Sequence, residues 1–201
     1  MEIRPARPGD VDELYRICLL TADAGQDATH RHADPRVPGH LFLGAYLELL
    51  PAFALVLDDG SAPLGYVVGA PDTREFEAIC ERDWWPRLRA EYPDPGPEPK
   101  TVDEGYLGAI HRPWLARDEV VAGYPAHLHI DLLPAAQGRG FGRALIERQL
   151  AAYAAAGASG VHLDVVAENT SALAFYRRVG FTEFPADNPE GWTMVRSLGP
   201  A

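Results

Sequence analysis

Residues His127 to Gly142, HLHIDLLPAAQGRGFG, constrain the fold more than any other stretch of the chain. Leu128, Ile130 and Leu132 alternate with His127, His129 and Asp131, the period of a half-buried strand. Pro134 has no N–H to give a sheet ladder and stops the strand. Gly138, Gly140 and Gly142 then alternate with Arg139 and Phe141, letting the backbone approach a ligand without a Cβ in the way. Arg143 to Ala156 is rich in Ala and Leu and suits a helix. A glycine turn that opens a helix leaves the first helical N–H groups without partners, a ready site for a phosphate or pyrophosphate. A Walker loop needs Lys and then Ser or Thr after its last Gly, and here Arg143 and Ala144 follow Gly142. The dinucleotide pattern Gly-x-Gly-x-x-Gly fits weakly, because its third glycine falls on Arg143.

Hydrophobic residues make up 47% of the 201, enough for a substantial core and against disorder. The length suits one domain, or one domain with an insertion. The formal net charge of -11 disfavours nucleic acid and anionic membrane as partners and leans toward a cationic one. Cys18 and Cys80 make no disulfide framework, and Cys18 shares a helix side with Val11, Leu14 and Tyr15, so a buried thiol is expected. The seven His are dispersed and lack Cys partners, so no metal-ligand cluster is expected. Met1 to Asp10 has no apolar core and no run approaches the ~20 residues needed to span a bilayer, so a cytoplasmic protein is expected.

Along the chain, Glu2 to Arg7 reads as extended, Asp10 and Glu13 as a near capping box, and Val11 to Ala22 as a helix. Asp23 to Pro38 is a polar loop, and His40 to Leu50 a second helix ended by Pro51. Phe53 to Leu57 and Leu64 to Gly69 are strands joined by the hairpin signal Asp58-Asp59-Gly60-Ser61. Residues 71–124 break this rhythm. Thr73 to Tyr92 looks helical with a kink at Pro86, Pro93 to Pro99 must be an extended loop, and Trp114 to Val121 reads as a short helix. Val161 to Ala167 is a strand and Asn169 to Val179 a helix ended by Gly180. Phe181 to Phe184 and Trp192 to Ser197 close the chain as strands around a polar turn, Asp187 to Gly191. The alternation describes an α/β (α+β) domain over residues 1–201.

Gln137, Gly140 and Gly142, with Ile130 and Leu132 on the preceding strand, resemble the acyl-CoA loop of the GNAT N-acetyltransferases, Gln/Arg-x-x-Gly-x-Gly/Ala. Asn169, Ala172, Phe175, Tyr176, Gly180 and Phe181 resemble the same family's following strand–helix, and Ile3-Arg4-Pro5-Ala6 with Asp10 its opening. The segments Tyr124 to Gln137 and Gly160 to Phe181 are also similar to the acetyltransferase-like domain joined to O-GlcNAc hydrolases and its bacterial relatives. That joined domain departs from the glycine pattern, which this chain keeps.

The resemblance implies the GNAT acyl-CoA N-acyltransferase fold: a central mixed, mostly antiparallel sheet flanked by helices, here with residues 71–124 inserted between the third and fourth strands. It implies acetyl transfer from acetyl-CoA to a primary amine, without metal. The pyrophosphate would lie on Gly138, Arg139, Gly140, Phe141, Gly142 and Arg143, with Gln137 at the loop entrance. The pantetheine would run beside Leu132 and Leu133 between splayed strands, the splay helped by Pro134. A backbone N–H near Leu132 would meet the developing oxyanion. Tyr176 would protonate the leaving thiolate, with Asn169 orienting the cofactor and Ala172 and Phe175 beside it.

A base is needed because an amine is mostly protonated at neutral pH. His127, His129 and Asp131 share one strand face. His129 with Asp131 is one choice, His111 or Asp103 from the insertion another, and a water chain a third. Tyr106, His111, Trp114 and His127 are the expected acceptor contacts, whereas Trp84 and Trp85 are expected in the insertion's own core. The insertion would roof the acceptor site. The acceptor would be a small amine, an amino sugar or a Lys side chain. Such domains often pair through their final strands, so a homodimer is a candidate assembly. Two rival readings stay open: a catalytically weak acyl-CoA-binding or sensing module, and a nucleotide-dependent enzyme using the same loop with ATP or NAD.

Overall fold

A computed structural model describes residues 1–185 and 191–199. Seven strands form one sheet: β1 (Glu2–Pro5), β2 (Ala54–Asp58), β3 (Pro63–Ala70), β4 (Ala126–Leu132), β5 (Gly160–Val166), β6 (Thr182–Glu183) and β7 (Gly191–Ser197). Their order is β1-β2-β3-β4-β5-β7-β6, and every neighbouring pair is antiparallel except β4 with β5. The expected turn from Asp187 lies outside the described residues, apart from Gly191, which begins β7.

The period-two alternation of β4 sorts its side chains onto two faces. Leu128 joins one core with Leu57, Val67, Leu163 and Met194 of the sheet, packed on two helices, α8 (Phe141–Ala155) and α9 (Thr170–Arg178). The opposite face, with Val56, Tyr66 and Val68, packs on Leu14, Ile17 and Cys18 of α1 (Val11–Leu19). The second expected helix is two short ones, α2 (Val37–Phe42) and α3 (Gly44–Leu49), broken at Leu43. Gly44, just after the break, lets two aromatic side chains close in: a Cβ there would stand 2.2 Å from the Tyr15 hydroxyl and 2.5 Å from the Trp84 ring.

The capping box expected at Asp10 does not form. Asp10 instead accepts both Arg4 guanidinium N–H groups, at 2.7 and 2.8 Å, and the Arg7 amide. Arg4 also reaches Asp58, so a buried charge cluster ties β1 to the β2–β3 hairpin. Glu13 pairs with Arg16 instead.

The insertion between β3 and β4 is helical. The kink expected at Pro86 is a wide π-type turn, Cys80–Trp84, joining α4 (Thr73–Ile79) to α5 (Trp85–Glu91). Pro86 has no N–H to continue the ladder, and the wide turn absorbs the missing bond. Two further helices follow, α6 (Val102–His111) and α7 (Asp118–Gly123). The first had no counterpart in the sequence reading, although Thr101 and Glu104 have capping-box spacing: Thr101 Oγ accepts the Glu104 N–H at 3.1 Å, while Glu104 accepts the N–H of Lys100 in place of that of Thr101. The second starts four residues later than Trp114, which lies in irregular chain. Trp84 and Trp85 are buried with Phe76, Leu88 and Ile110, as expected, but this core also takes in Ala45 of α3 and Ala70 of β3.

Candidate active site

The parallel pair β4–β5 is in register only at Ala126–Val161 and His127–His162. Beyond that, each strand keeps its outer partner and the two diverge, opening a V at the centre of the sheet. The splay begins at Leu128, well before Pro134, so Pro134 does not cause it. Pro134 instead starts a tight turn closed by Ala136 N–H to Leu133 O and Gln137 N–H to Pro134 O.

A cleft of about 570 Å³ runs from this V to the glycine turn. Gly138 and Gly140 have φ of 69° and 84°, left-handed values that favour glycine. They swing the chain into α8, so that none of the N–H groups from Gly138 to Arg143 finds a partner among the described residues. Gly142 serves a different purpose. A Cβ there would stand 3.1 Å from the Phe175 ring, so this glycine lets α8 and α9 approach. Gln137 donates to Leu132 O at 2.8 Å and Arg143 to Arg178 O at 2.8 Å, fixing the turn's two ends.

Leu132, Gln137, Gly138, Gly140, Gly142 and Arg143 line the cleft from the turn side, and Asn169, Ala172, Phe175 and Tyr176 from α9. Leu133, Arg139 and Phe141 do not. Leu133 packs on the α1 face, Phe141 against the main core, and Arg139 folds over the Phe141 ring at 5.3 Å. Ile130 takes the place expected for Leu133. Thr21, Gly25 and Gln26 also line the cleft, and sequence reading missed them. They sit on a tight turn with Ala24 at φ 49° and Gly25 at φ 87°, across from Asn169. The only local sign of it is Asp-Ala-Gly-Gln inside a polar loop.

Tyr176 is 8% exposed, and its hydroxyl makes no hydrogen bond among the described residues. Burial, and then the Asp131 charge, push its pKa up, so the hydroxyl keeps its proton. Asn169 caps α9: its Oδ1 accepts the Ala172 N–H at 3.1 Å and the Ser171 hydroxyl at 3.0 Å.

On the other face of β4, His129 Nε2 lies 3.0 Å from Asp131 Oδ2, and Tyr66 donates to the same oxygen at 2.5 Å. Burial alone would lower the His129 pKa, but the Asp131 charge and hydrogen bond outweigh it and raise it. The Asp131 carboxyl is correspondingly held below its usual range: His129 and the hydrogen bonds overcome its burial. Asp131 also lines the cleft, joining this pair to the cradle.

His127, expected at the acceptor site, is otherwise employed. Tyr46 and Thr73 hydroxyls engage both ring nitrogens, at 2.9 and 2.8 Å, and burial pushes its pKa down to about 3. His111 is likewise spent, with Nε2 2.8 Å from Tyr92 O. Asp103 holds the His32 ring at 2.5 Å and the Ala33 N–H, pinning α6 to the loop after α1. Tyr106 and Trp114 do gather near His129, through Phe42, which sequence reading passed over. Phe42 stacks on His129 and Trp114, with centroids 5.7 and 6.3 Å away, and meets Tyr106 edge-on at 5.4 Å. Trp114 remains 65% exposed at the mouth of this aromatic wall.

The expectation that no histidine has a cysteine neighbour is corrected. α1 packs on β4 and brings Cys18, His129 and Asp131 together, their ligand atoms all within 4.8 Å of one another. Among the described residues no helix is long and apolar enough to cross a membrane.

The profile of the acetyltransferase (GNAT) domain matches residues 103–183. The crystal structure of SsHAT is 42% identical, with a TM-score of 0.90 over 98% of both chains. The chain belongs to the GNAT family of acetyltransferases. Mycothiol acetyltransferase of Gordonia bronchialis is 48% identical to it over 70% of this chain and 51% of that protein. Protein O-GlcNAcase of Rattus norvegicus is 25% identical over 92% of this chain and 21% of that protein. The GNAT chain therefore spans about half the length of the one curated relative and about a fifth of the other.

Proposed function

We propose that this GNAT chain moves an acetyl group from acetyl-CoA to a primary amine by direct attack on the thioester. The observation that carries the reading is one continuous cleft, with unpartnered loop amides at one end and the Tyr176 ring and Asp131 carboxylate at the other. A diphosphate suits the N–H groups of Gly138, Gly140, Gly142 and Arg143, free among the described residues at a helix start, with the Arg143 charge beside them. The pantetheine arm would pass between β4 and β5, along Ile130 and Leu132. Leu133 gives its N–H to Leu64 of β3, and strand alternation turns the Leu132 N–H to the opposite, cleft edge. That N–H would stabilise the oxyanion.

His129, oriented by Asp131, would take the proton from the incoming ammonium. The amine nitrogen then forms its bond to the carbonyl carbon, the C–S bond breaks, the thiolate takes the Tyr176 proton, and the surplus proton on the new amide nitrogen returns to the Tyr176 oxygen. The insertion supplies Tyr106 and Trp114 to the acceptor wall, completed by Phe42. The names of the acetyltransferase relatives support the reaction class, and the acceptor remains a small amine, an amino sugar or a Lys side chain.

The test is acetyl-CoA titration together with thiol release across a panel of amines. Saturable binding with amine-dependent release supports the proposal. Binding without release on any amine would favour an acyl-CoA-binding module, and stabilisation by ATP or NAD in place of acetyl-CoA would end both readings.

A further inference from the structure

The cluster on the α1 face of β4 includes a cysteine that neither binding of acetyl-CoA nor amine deprotonation calls for. Cys18 is a buried thiol on a helix, 1% exposed, whose sulfur faces the imidazole of His129 and the carboxylate of Asp131. We propose that Cys18, His129 and Asp131 form an inhibitory site for a zinc ion.

One thiolate, one imidazole and one carboxylate form a donor set suited to zinc among the divalent ions, and they would be three protein ligands of a tetrahedral site. Zinc–ligand bonds of about 2.0–2.3 Å place tetrahedral donor atoms about 3.2–3.8 Å apart. The donor atoms here lie within 4.8 Å, so the side chains need to draw in by about 1 Å. The surroundings already hold them. Tyr66 donates to Asp131 Oδ2 at 2.5 Å, and Phe42 stacks on the His129 ring, the kind of outer support that fixes ligand orientation. Because Asp131 lines the cleft, an ion has a way in from solvent.

The alternative role for Cys18, a covalent acetyl carrier, fits poorly. Burial and the nearby Asp131 charge push its pKa up, which keeps the thiol protonated and weakly nucleophilic. A metal ion displaces that proton outright. The inhibition rests on the base role proposed above for His129, since the ion would occupy the imidazole and carboxylate that deprotonate the amine. The binding rests on the cluster alone.

The experiment uses the full chain, stripped with chelator and titrated with Zn²⁺ by calorimetry and with Co²⁺ by absorption. A 1:1 complex is expected, with a thiolate-to-cobalt charge-transfer band. Cys18→Ala should remove the band and weaken zinc binding at least tenfold, while Cys18→Ser, close to cysteine in volume, checks that loss of packing is not the cause. Zinc should slow acetyl transfer by the parent chain and spare the Cys18→Ala chain. A parent chain without a 1:1 complex, or zinc affinity unchanged in both variants, overturns the site. A zinc complex that leaves the parent's transfer rate unchanged overturns the inhibition. The cobalt band is read without acetyl-CoA or amine, so failure of the site and failure of the acetyl-transfer reading stay distinguishable.

Discussion

Gly140 and Gly157 stand at opposite ends of α8 and form a matched pair. Both have left-handed backbones, φ 84° and 89°, and a Cβ at either would meet nothing within 4 Å. Alanine therefore brings no clash at either position, only the left-handed penalty of about 1–2 kcal/mol. For a chain of this length that lowers Tm by about 2–8 °C. The two differ in what their backbone does. Gly157 closes the helix end, with its N–H bonded to Ala154 O at 3.0 Å. Gly140 orients the unpartnered amides that face the cleft. Strain relieved by rotation at Gly140→Ala would displace at least one amide from the cofactor phosphate. A hydrogen bond to a charged group contributes about 1.5–3 kcal/mol, which is about 10- to 150-fold in Kd. Calorimetric titration of acetyl-CoA against both variants, with melting curves alongside, reads the two effects separately. Equal loss of stability with weakened binding only in Gly140→Ala is expected. Unchanged acetyl-CoA affinity in Gly140→Ala would refute the cradle, as would equal weakening from Gly157→Ala, at the far end of a helix about 22 Å long.

Tyr176→Phe removes a hydroxyl with no partner among the described residues, so Tm should stay within about 2 °C and acetyl-CoA affinity should hold, while turnover falls on the order of 100-fold; steady-state rates and melting curves check both. Trp114→Ala, at a side chain 65% exposed, should leave stability within about 0.5 kcal/mol but raise KM for the amine several-fold, measured by thiol release. Arg4→Met leaves the buried Asp10 carboxylate unpaired and should cost about 3–5 kcal/mol, seen in urea unfolding. Arg4 holds the Asp10 pKa down, so the pair's stabilisation is present above the unfolded carboxylate pKa and is lost as pH falls through the lower folded value. Acid unfolding of the parent should therefore converge on that of Arg4→Met at low pH.

The strand–turn–helix from His127 to Gly142, the second segment from Val165 to Phe181 and the hairpin at Asp58 were all legible because each depends on neighbours in sequence. Alternation, glycine placement and helix capping are local, and they carry the fold class and most of the cleft lining. The errors have a common origin. Asp10 looked like a helix cap until Arg4 and Asp58 came within reach. His127 and His111 looked available until Tyr46, Thr73 and the Tyr92 carbonyl took their nitrogens. Thr101 and Glu104 did carry a legible local signal for α6, and it was overlooked.

What the sequence alone determined is the shape of the glycine-turn end of the cleft: a strand that must stop, a glycine turn with left-handed residues and a helix whose first amides have no acceptor within it. Tertiary structure alone decided the aromatic wall proposed for the acceptor. Phe42, Tyr106, Trp114 and His129 meet there from four separate segments, and Cys18 reaches His129 and Asp131 only because α1 packs across β4. Backbone hydrogen bonding is dictated over a few residues, whereas the company a side chain keeps depends on which faces pack together, and no local spacing records that.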